Sequence, residues 1–502
     1  MVPKKTSGRS VRMDLINPAA SPLLKTTPRA KLRNAVGRFA RFTRASISFV
    51  PDLRKPVPNQ HPEMVKRMNA NSKRRWLVSL LALAGAWTGA SGVIAQDTFC
   101  DLGCDSPIAC DAAFDDACDS LCRDLSCRES LAQCGLTFSN NLTQFYFGTV
   151  DGGVEQVGRY AAHGDYVANV DFGKLGVHEG LFLKVRAEHR MGESIVESTG
   201  AFLPATLAAD LPTTETRNLY ITNFIITQAL SESCIVFAGK IDSLDGDMNA
   251  FAHGRGITQF SNVSFIANPV VLRTVPYSTL GAGFAYLMEG EPLFSFLVLN
   301  PTDTTRTSGF SELFNDGVAL SSELRVPTNF CDRPGHVLVG ATYSTRDYVS
   351  LDQDPRIILP QVDIGRSSDS WSVYWNTDHY LHVDPHDESR GWGYFTRVGF
   401  ADDSNNPISY FWSVGIGGNS VISGRDKDSF GLGYYMSETS DEIAPFLTAL
   451  VGGIGDSQGV EAFYNIQAMN CLTITPDFQW LSQARAGLDD AYVLGVRANL
   501  AF

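Results

Sequence analysis

Charged side chains recur at every second position along several short stretches. Lys184, Arg186, Glu188 and Arg190 alternate with Leu181, Leu183, Val185 and Ala187. Ser321, Glu323 and Arg325 alternate with Leu320, Leu324 and Val326. Lys240, Asp242, Arg397, Glu461 and Arg497 stand in similar surroundings, and the chain between Asp242 and Thr279 gathers Asp245, Asp247, Asn249, His253, Arg255, Gln259 and Asn262. Carboxylates accept hydrogen bonds, guanidinium and ammonium groups donate them, and amides do both. Hydrolysis of a glycosidic bond would need two carboxyl groups held together in a shielded pocket. Acids are plentiful, but nothing in the sequence brings two of them together. His379, His382 and His386 lie near Asp384 and Asp387, within the range of a metal site. Strand alternation puts His379 and His382 on opposite faces, and His386 falls in a turn. Serine, histidine and aspartate occur without a nucleophile-elbow motif. These residues predict no enzyme, no cofactor and no metal.

The period of two implies strands. The last residues show it best. Tyr492, Leu494, Val496, Ala498, Leu500 and Phe502 form an apolar face, and Val493, Gly495, Arg497, Asn499 and Ala501 form the other. Sixteen such stretches run from 142–149 to 491–502. Several links are short, as at Ser231–Ser233, Glu289–Glu291, Asp384–Arg390 and Met469–Cys471; the intervening links 192–217, 243–279, 300–317, 347–370 and 437–459 are long. A charge at the bilayer midplane on the lipid side costs about 2–4 kcal/mol. The segregation of charge therefore says that the charged face is wet; the apolar face meets lipid in a barrel, or a second sheet in a soluble sandwich. The expected fold is all-β: an antiparallel transmembrane barrel of about sixteen strands, with a polar lumen, short turns on the periplasmic side and long loops outside.

The other end of the chain supplies the compartment. Lys66, Arg67, Lys73, Arg74 and Arg75 precede an apolar run from Trp76 to Trp87, and Val93-Ile94-Ala95 offers small residues for cleavage. Residues 64–95 are expected to be a signal peptide. Residues 1–63 are rich in Lys, Arg and Ser and are expected to be an unstructured extension, with Met64 or Met68 as alternative starts. Residues 1–95 hold 18 basic and 3 acidic residues, leaving 23 basic against 51 acidic beyond them. That balance excludes a nucleic-acid binder. Residues 96–135 form a cysteine-rich periplasmic segment, with Cys100, Cys104, Cys110, Cys118, Cys122, Cys127 and Cys134. Cys234, Cys331 and Cys471 fall in or beside turns on the same side. Export permits disulfides, so all ten cysteines are disulfide candidates that would pin a small cap under the barrel, and 111–133 reads as helical.

Several ordered blocks then carry a resemblance. Gly391-Trp392-Gly393-Tyr394-Phe395-Thr396-Arg397-Val398-Gly399-Phe400-Ala401-Asp402 resembles a signature strand of the carbohydrate-selective porin (OprB-type) family. Gly239-Lys240-Ile241-Asp242, Gln259-Phe260, Asn268-Pro269, Asp316-Gly317 through Glu323, Pro334-Gly335-His336 to Tyr343-Ser344, Glu461 to Gln467, Leu472 to Gln479 and Ala491 to Gly495 are similar to it as well. The resemblance spans 136–502. It implies a sixteen-stranded channel of the bacterial outer membrane for passive uptake of mono- or oligosaccharides. Its partners would be outer-membrane lipid and the barrel-assembly machinery; a homo-oligomer stays open. A structural or adhesive barrel with an occluded channel is the alternative. The loop after the fifth strand would fold inward, and the pore-lining candidates are Arg186, Glu188, Lys240, Asp242, Arg255, Arg397, Glu461 and Arg497. Neutralising Arg397 is expected to change sugar flux in liposome swelling without loss of assembly. Phe502 reads as the assembly signal; deleting it should block membrane insertion, seen as loss of heat-modifiable migration, before any change in transport.

Overall fold

A computed structural model describes residues 125–351, 366–385, 387–443 and 452–502. A helix, α1 (Leu125–Gln133), leads into sixteen strands. These are β1 (Leu136–Asp151), β2 (Gly158–Asp171), β3 (Leu181–Gly192), β4 (Tyr220–Ser231), β5 (Cys234–Asp242), β6 (Ser278–Met288), β7 (Glu291–Leu299) and β8 (Ala319–Phe330), followed by β9 (Arg333–Val349), β10 (Arg366–Asp384), β11 (Asp387–Ala401), β12 (Ile408–Asn419), β13 (Ser429–Thr439), β14 (Ser457–Met469), β15 (Leu472–Leu481) and β16 (Ala491–Ala501). Every strand pairs antiparallel with its sequence neighbours, and β16 pairs with β1 to close the barrel. Closure leaves no sheet edge, so every strand can place its N–H and C=O groups in the ladder. No described helix is long and apolar enough to cross a membrane.

All sixteen predicted strands are present. The alternation in β16 is as read: Tyr492 and Leu494 are exposed, whereas Val493, Arg497 and Asn499 are buried. Phe502 donates its backbone N–H to Asn140 O at 3.0 Å, and its ring meets Tyr166 edge-on, so it seals the seam between the first strands and the last. The outer wall carries an apolar belt that includes Ile226, Phe284, Leu324, Val339, Val373, Leu432 and Leu494. At Glu289-Gly290 both residues have positive φ, which the tightest hairpin turn requires.

Three expectations are corrected. The short–long rhythm of links is not strict. On the rim opposite the termini, 152–157 and 402–407 are short, and on the terminal rim 172–180 and 420–428 are the longer turns. The lumen is not polar all round. Phe145, Phe147, Phe395, Phe411, Tyr435 and Phe463 are buried inside it with the loops after β3 and β5. Finally, Leu381 falls where the β10–β11 register shifts, so His379 and His382 pair with Tyr394 and Trp392, two positions on one face of β11. His386 lies outside the described residues, and no group of three metal-type ligands occurs among those described.

Candidate functional site

The loop after β5, residues 243–277, folds into the lumen and crosses it. Its backbone contains several short helical turns that leave polar groups without partners of their own, and the barrel wall supplies those partners. Two clusters hold the loop.

The first cluster is ionic and lies against β3. Strand alternation points Arg186 and Glu188 inward from β3, and Asp165 and His163 inward from β2. Arg186 pairs with Asp165 at 3.1 Å, Asp242 at 3.0 Å and Asp245 at 2.9 Å. Arg255, from the loop, pairs with Glu188 at 3.0 Å, Asp242 at 2.8 Å and Asp245 at 3.4 Å. Thr222 and Tyr277 donate their hydroxyls to Glu188, and His163 lies 3.3 Å from it. Thr222 gets there because the β3–β4 register shifts at that point, so that Thr222 and Asn223 are both buried. Arg255 has φ 55°, a left-handed conformation unfavourable for a long side chain; its three carboxylate partners hold it there. Burial alone would raise the Asp245 carboxyl, but Arg186, Lys184 and Arg255 hold it below the usual carboxylate range. Burial, with Asp242 and Glu188 beside it, pushes the Tyr277 phenol well up, so it stays a donor.

The second cluster clamps the loop to the opposite wall. Arg397 on β11 is wholly buried. Its Nε donates to Asp247 Oδ2 at 2.8 Å, and its Nη atoms donate to the carbonyls of Phe265 at 3.0 Å, Asp247 at 3.1 Å and Ala252 at 2.5 Å. Glu461 accepts the backbone N–H groups of Ser261 at 2.6 Å and Asn262 at 2.9 Å. Arg497 donates to Gly256 O at 2.9 Å and Gln259 O at 2.6 Å. Around these contacts Phe260 and Phe265 pack edge-on against Phe395, and Phe260 does so against Phe463. Gly433 makes this fit possible: a Cβ there would lie 2.5 Å from the Phe265 ring. The loop after β3 adds a further layer, with Leu207 N–H on Ser261 O at 2.9 Å.

The eight sequence candidates therefore divide. Arg186, Glu188, Asp242 and Arg255 meet in one network. Arg397, Glu461 and Arg497 are loop clamps with no open surface, rather than residues facing a free lumen. Lys240 turns away altogether. It pairs across the ladder with Phe224, which is exposed on the outer wall, and its Nζ reaches Thr307 O at 2.9 Å in the loop after β7. Sequence reasoning placed Asp247 in the inward loop but paired neither it with Arg397 nor Asp165 with Arg186, and it missed the interior aromatic cluster. The inward glycines Gly431 and Gly433, each buried beside a phenylalanine ring, were the available signal.

Of the cysteines, Cys134 precedes β1, while Cys234, Cys331 and Cys471 sit at three separate turns of the terminal rim. Among the described residues, no disulfide joins Cys134, Cys234 or Cys331 to another cysteine. Cys127 falls in α1, and Cys100, Cys104, Cys110, Cys118 and Cys122 lie outside the described residues.

Removing one partner of a buried charge cluster costs about 3–5 kcal/mol. In Arg397→Met that cost falls on the loop, because the strand ladder does not depend on the side chain. Added protease should cut within 243–277 in the variant and spare the parent, while both keep heat-modifiable migration. Equal resistance would show that Arg397 does not hold the loop.

Comparison with known proteins bears on this geometry. The profile of the carbohydrate-selective porin, OprB family, matches residues 155–502. The high-pH structure of Pseudomonas putida OprB superposes with a TM-score of 0.64 at 19% identity, covering 76% of this chain and 97% of that one. The low-pH structure of the same protein gives a TM-score of 0.47 at 16% identity, covering 76% and 97%. A loop L8 deletion mutant of Vibrio cholerae OmpT gives 0.43 at 12%, covering 73% and 99%. No curated protein matches. The family profile takes in β3, the inward loop and every strand after it, and the high-pH Pseudomonas putida OprB structure shares the fold. The chain belongs to the OprB family of carbohydrate-selective porins, β-barrel channels of the bacterial outer membrane.

Proposed function

We propose that sugar selectivity is set where the ionic cluster reaches open space, at Lys184 and Asp245. Most of the network is buried, and Arg186 keeps only 8% of its side chain exposed. Lys184 keeps 32% and Asp245 keeps 34%, with Lys184 Nζ 2.5 Å from Asp245 Oδ2. That difference in exposure is the observation that supports the reading. A hydroxyl of a passing sugar can accept from the ammonium and donate to the carboxylate, so the pair offers both halves of the match. Arg186 and Arg255 behind it, themselves held by Asp242, fix the carboxylate in place, and little has to be reorganised when a solute arrives. Each such hydrogen bond contributes about 0.5–1.5 kcal/mol. That is weak enough for the solute to leave, as conduction requires. Glu323 extends the polar surface; it already accepts the Tyr374 hydroxyl at 2.6 Å and the Asp247 N–H at 2.9 Å. The solutes are mono- or oligosaccharides crossing passively.

The test is single-channel conductance with sugar block. Lys184→Met and Asp245→Asn should each weaken the block by roughly twofold to tenfold, with heat-modifiable migration unchanged. Sugar block equal to the parent in both variants would remove the pair from the selectivity site.

A further inference from the structure

The loop after β7, residues 300–318, does something the inward loops do not. Its first part, from Pro301 to Thr307, lines a cavity with the loops after β3 and β5, and its stretch from Thr305 to Gly309 also covers outward-facing residues of the wall. Ile225, Phe237 and Ile241 face inward, where they pack with Val271 and Val275 of the lumen loop. Lys240, which follows Gly239 and precedes Ile241, pairs with Phe224 and Leu280 and shares their outward face. On that face Lys240 and Leu280 are nonetheless buried. The covering residues belong to the outer loop. Lys240 Nζ donates to Thr307 O at 2.9 Å and Thr305 O at 3.4 Å. Gly309 lies so close that a Cβ on it would stand 3.0 Å from Leu280 Cγ, and its φ of 85° turns the chain there.

Past that turn comes a short 3-10 segment, Phe310–Glu312. Phe310 is 74% exposed, Phe314 44% and Leu313 37%. Three large apolar side chains on a six-residue turn make a patch that water would not favour. The turn that carries the patch adjoins the apolar belt: Gly309 stands on Leu280, and Leu280 and Phe224 flank Lys240 on the outward face. Leu219, Ile221 and Phe224 are exposed on and beside the neighbouring strand β4, and Phe284 lies further down β6. The belt meets lipid in an outer-membrane barrel, and aromatic rings favour its upper and lower borders.

We infer that residues 309–314 are a lipid-contact element: an apolar foot, tethered to the outer wall through Lys240, that rests on the acyl chains around the barrel. The ammonium of Lys240 donates beneath it to the carbonyls of Thr305 and Thr307, so an outward-facing lysine sits at the edge of the belt without facing hydrocarbon. A second copy of the chain could in principle cover the same side chains. Lipid is the occupant we commit to, because the patch adjoins a surface that already faces it.

The test replaces Phe310 by p-benzoylphenylalanine in the full chain, inserted in outer membrane, followed by illumination and mass analysis of the chain. The position is exposed, so the barrel should keep its heat-modifiable migration. The same residue at Phe284 is the lipid-facing control, and at Glu215, which pairs with Arg306 on the rim, the water-facing one. Capture of lipid at 310 and 284 but not at 215 is the expected result. Capture of a second chain at 310, or absence of any adduct at 310 while 284 captures lipid, overturns the inference. Leu313 replaced in the same way gives a second, independent reading of the same foot.

Discussion

A loop of polar backbone inside a closed barrel must find its hydrogen-bond partners on the wall. That constraint shapes most of what distinguishes this lumen. The buried Arg397 guanidinium is the central case. Taken from water alone, such a charge would be costly by several kcal/mol. Here it meets one carboxylate and several carbonyls, and in doing so it satisfies a stretch of loop that has no ladder of its own. Glu461 performs the complementary task, accepting N–H groups that the loop cannot satisfy internally. Cation meets carbonyls and anion meets amides, so loop and wall are matched group by group.

The two clusters differ in kind. Against β3 the loop is held by charge on charge, in a network that ends at partly open residues. Against β11 to β16 it is held by one ion pair, Arg397 with Asp247, but mainly by charge on backbone and by packed rings, out of reach of solvent. One side therefore leaves chemistry available to a solute, and the other makes that chemistry rigid. The loop is a frame for the exposed pair Lys184 and Asp245.

Strands and their order were readable from the sequence because period-two alternation is a local property. Each strand writes its own face pattern, and Leu181 to Arg190 or Tyr492 to Phe502 could be sorted without neighbours. The charged residues of β3 were readable for the same reason. What escaped was set by partners far away in the chain. Lys240 obeys alternation and faces outward, but it is hidden by a loop from another hairpin. Phe395 and Phe463 face inward against Phe260 of the loop, a contact that neither strand's own pattern records. His379 and His382 changed sides because of one extra residue in β10, a bulge that leaves no clear mark in composition.

The spacing of the loop anchors along the chain has a consequence for assembly. Phe265 and Arg397 are 132 residues apart, Asn262 and Gln479 are 217 apart, and Gly256 and Arg497 are 241 apart. The loop emerges with β5 and β6, yet its partners sit on strands made much later. It cannot settle until β11, β14, β15 and β16 stand beside it. The strand that closes the wall against β1 also carries the guanidinium that gathers the carbonyls of Gly256 and Gln259. Shutting the cylinder and seating the inward loop are thus a single late step, and the loop serves as a gauge that reads full only when the last strand is in place.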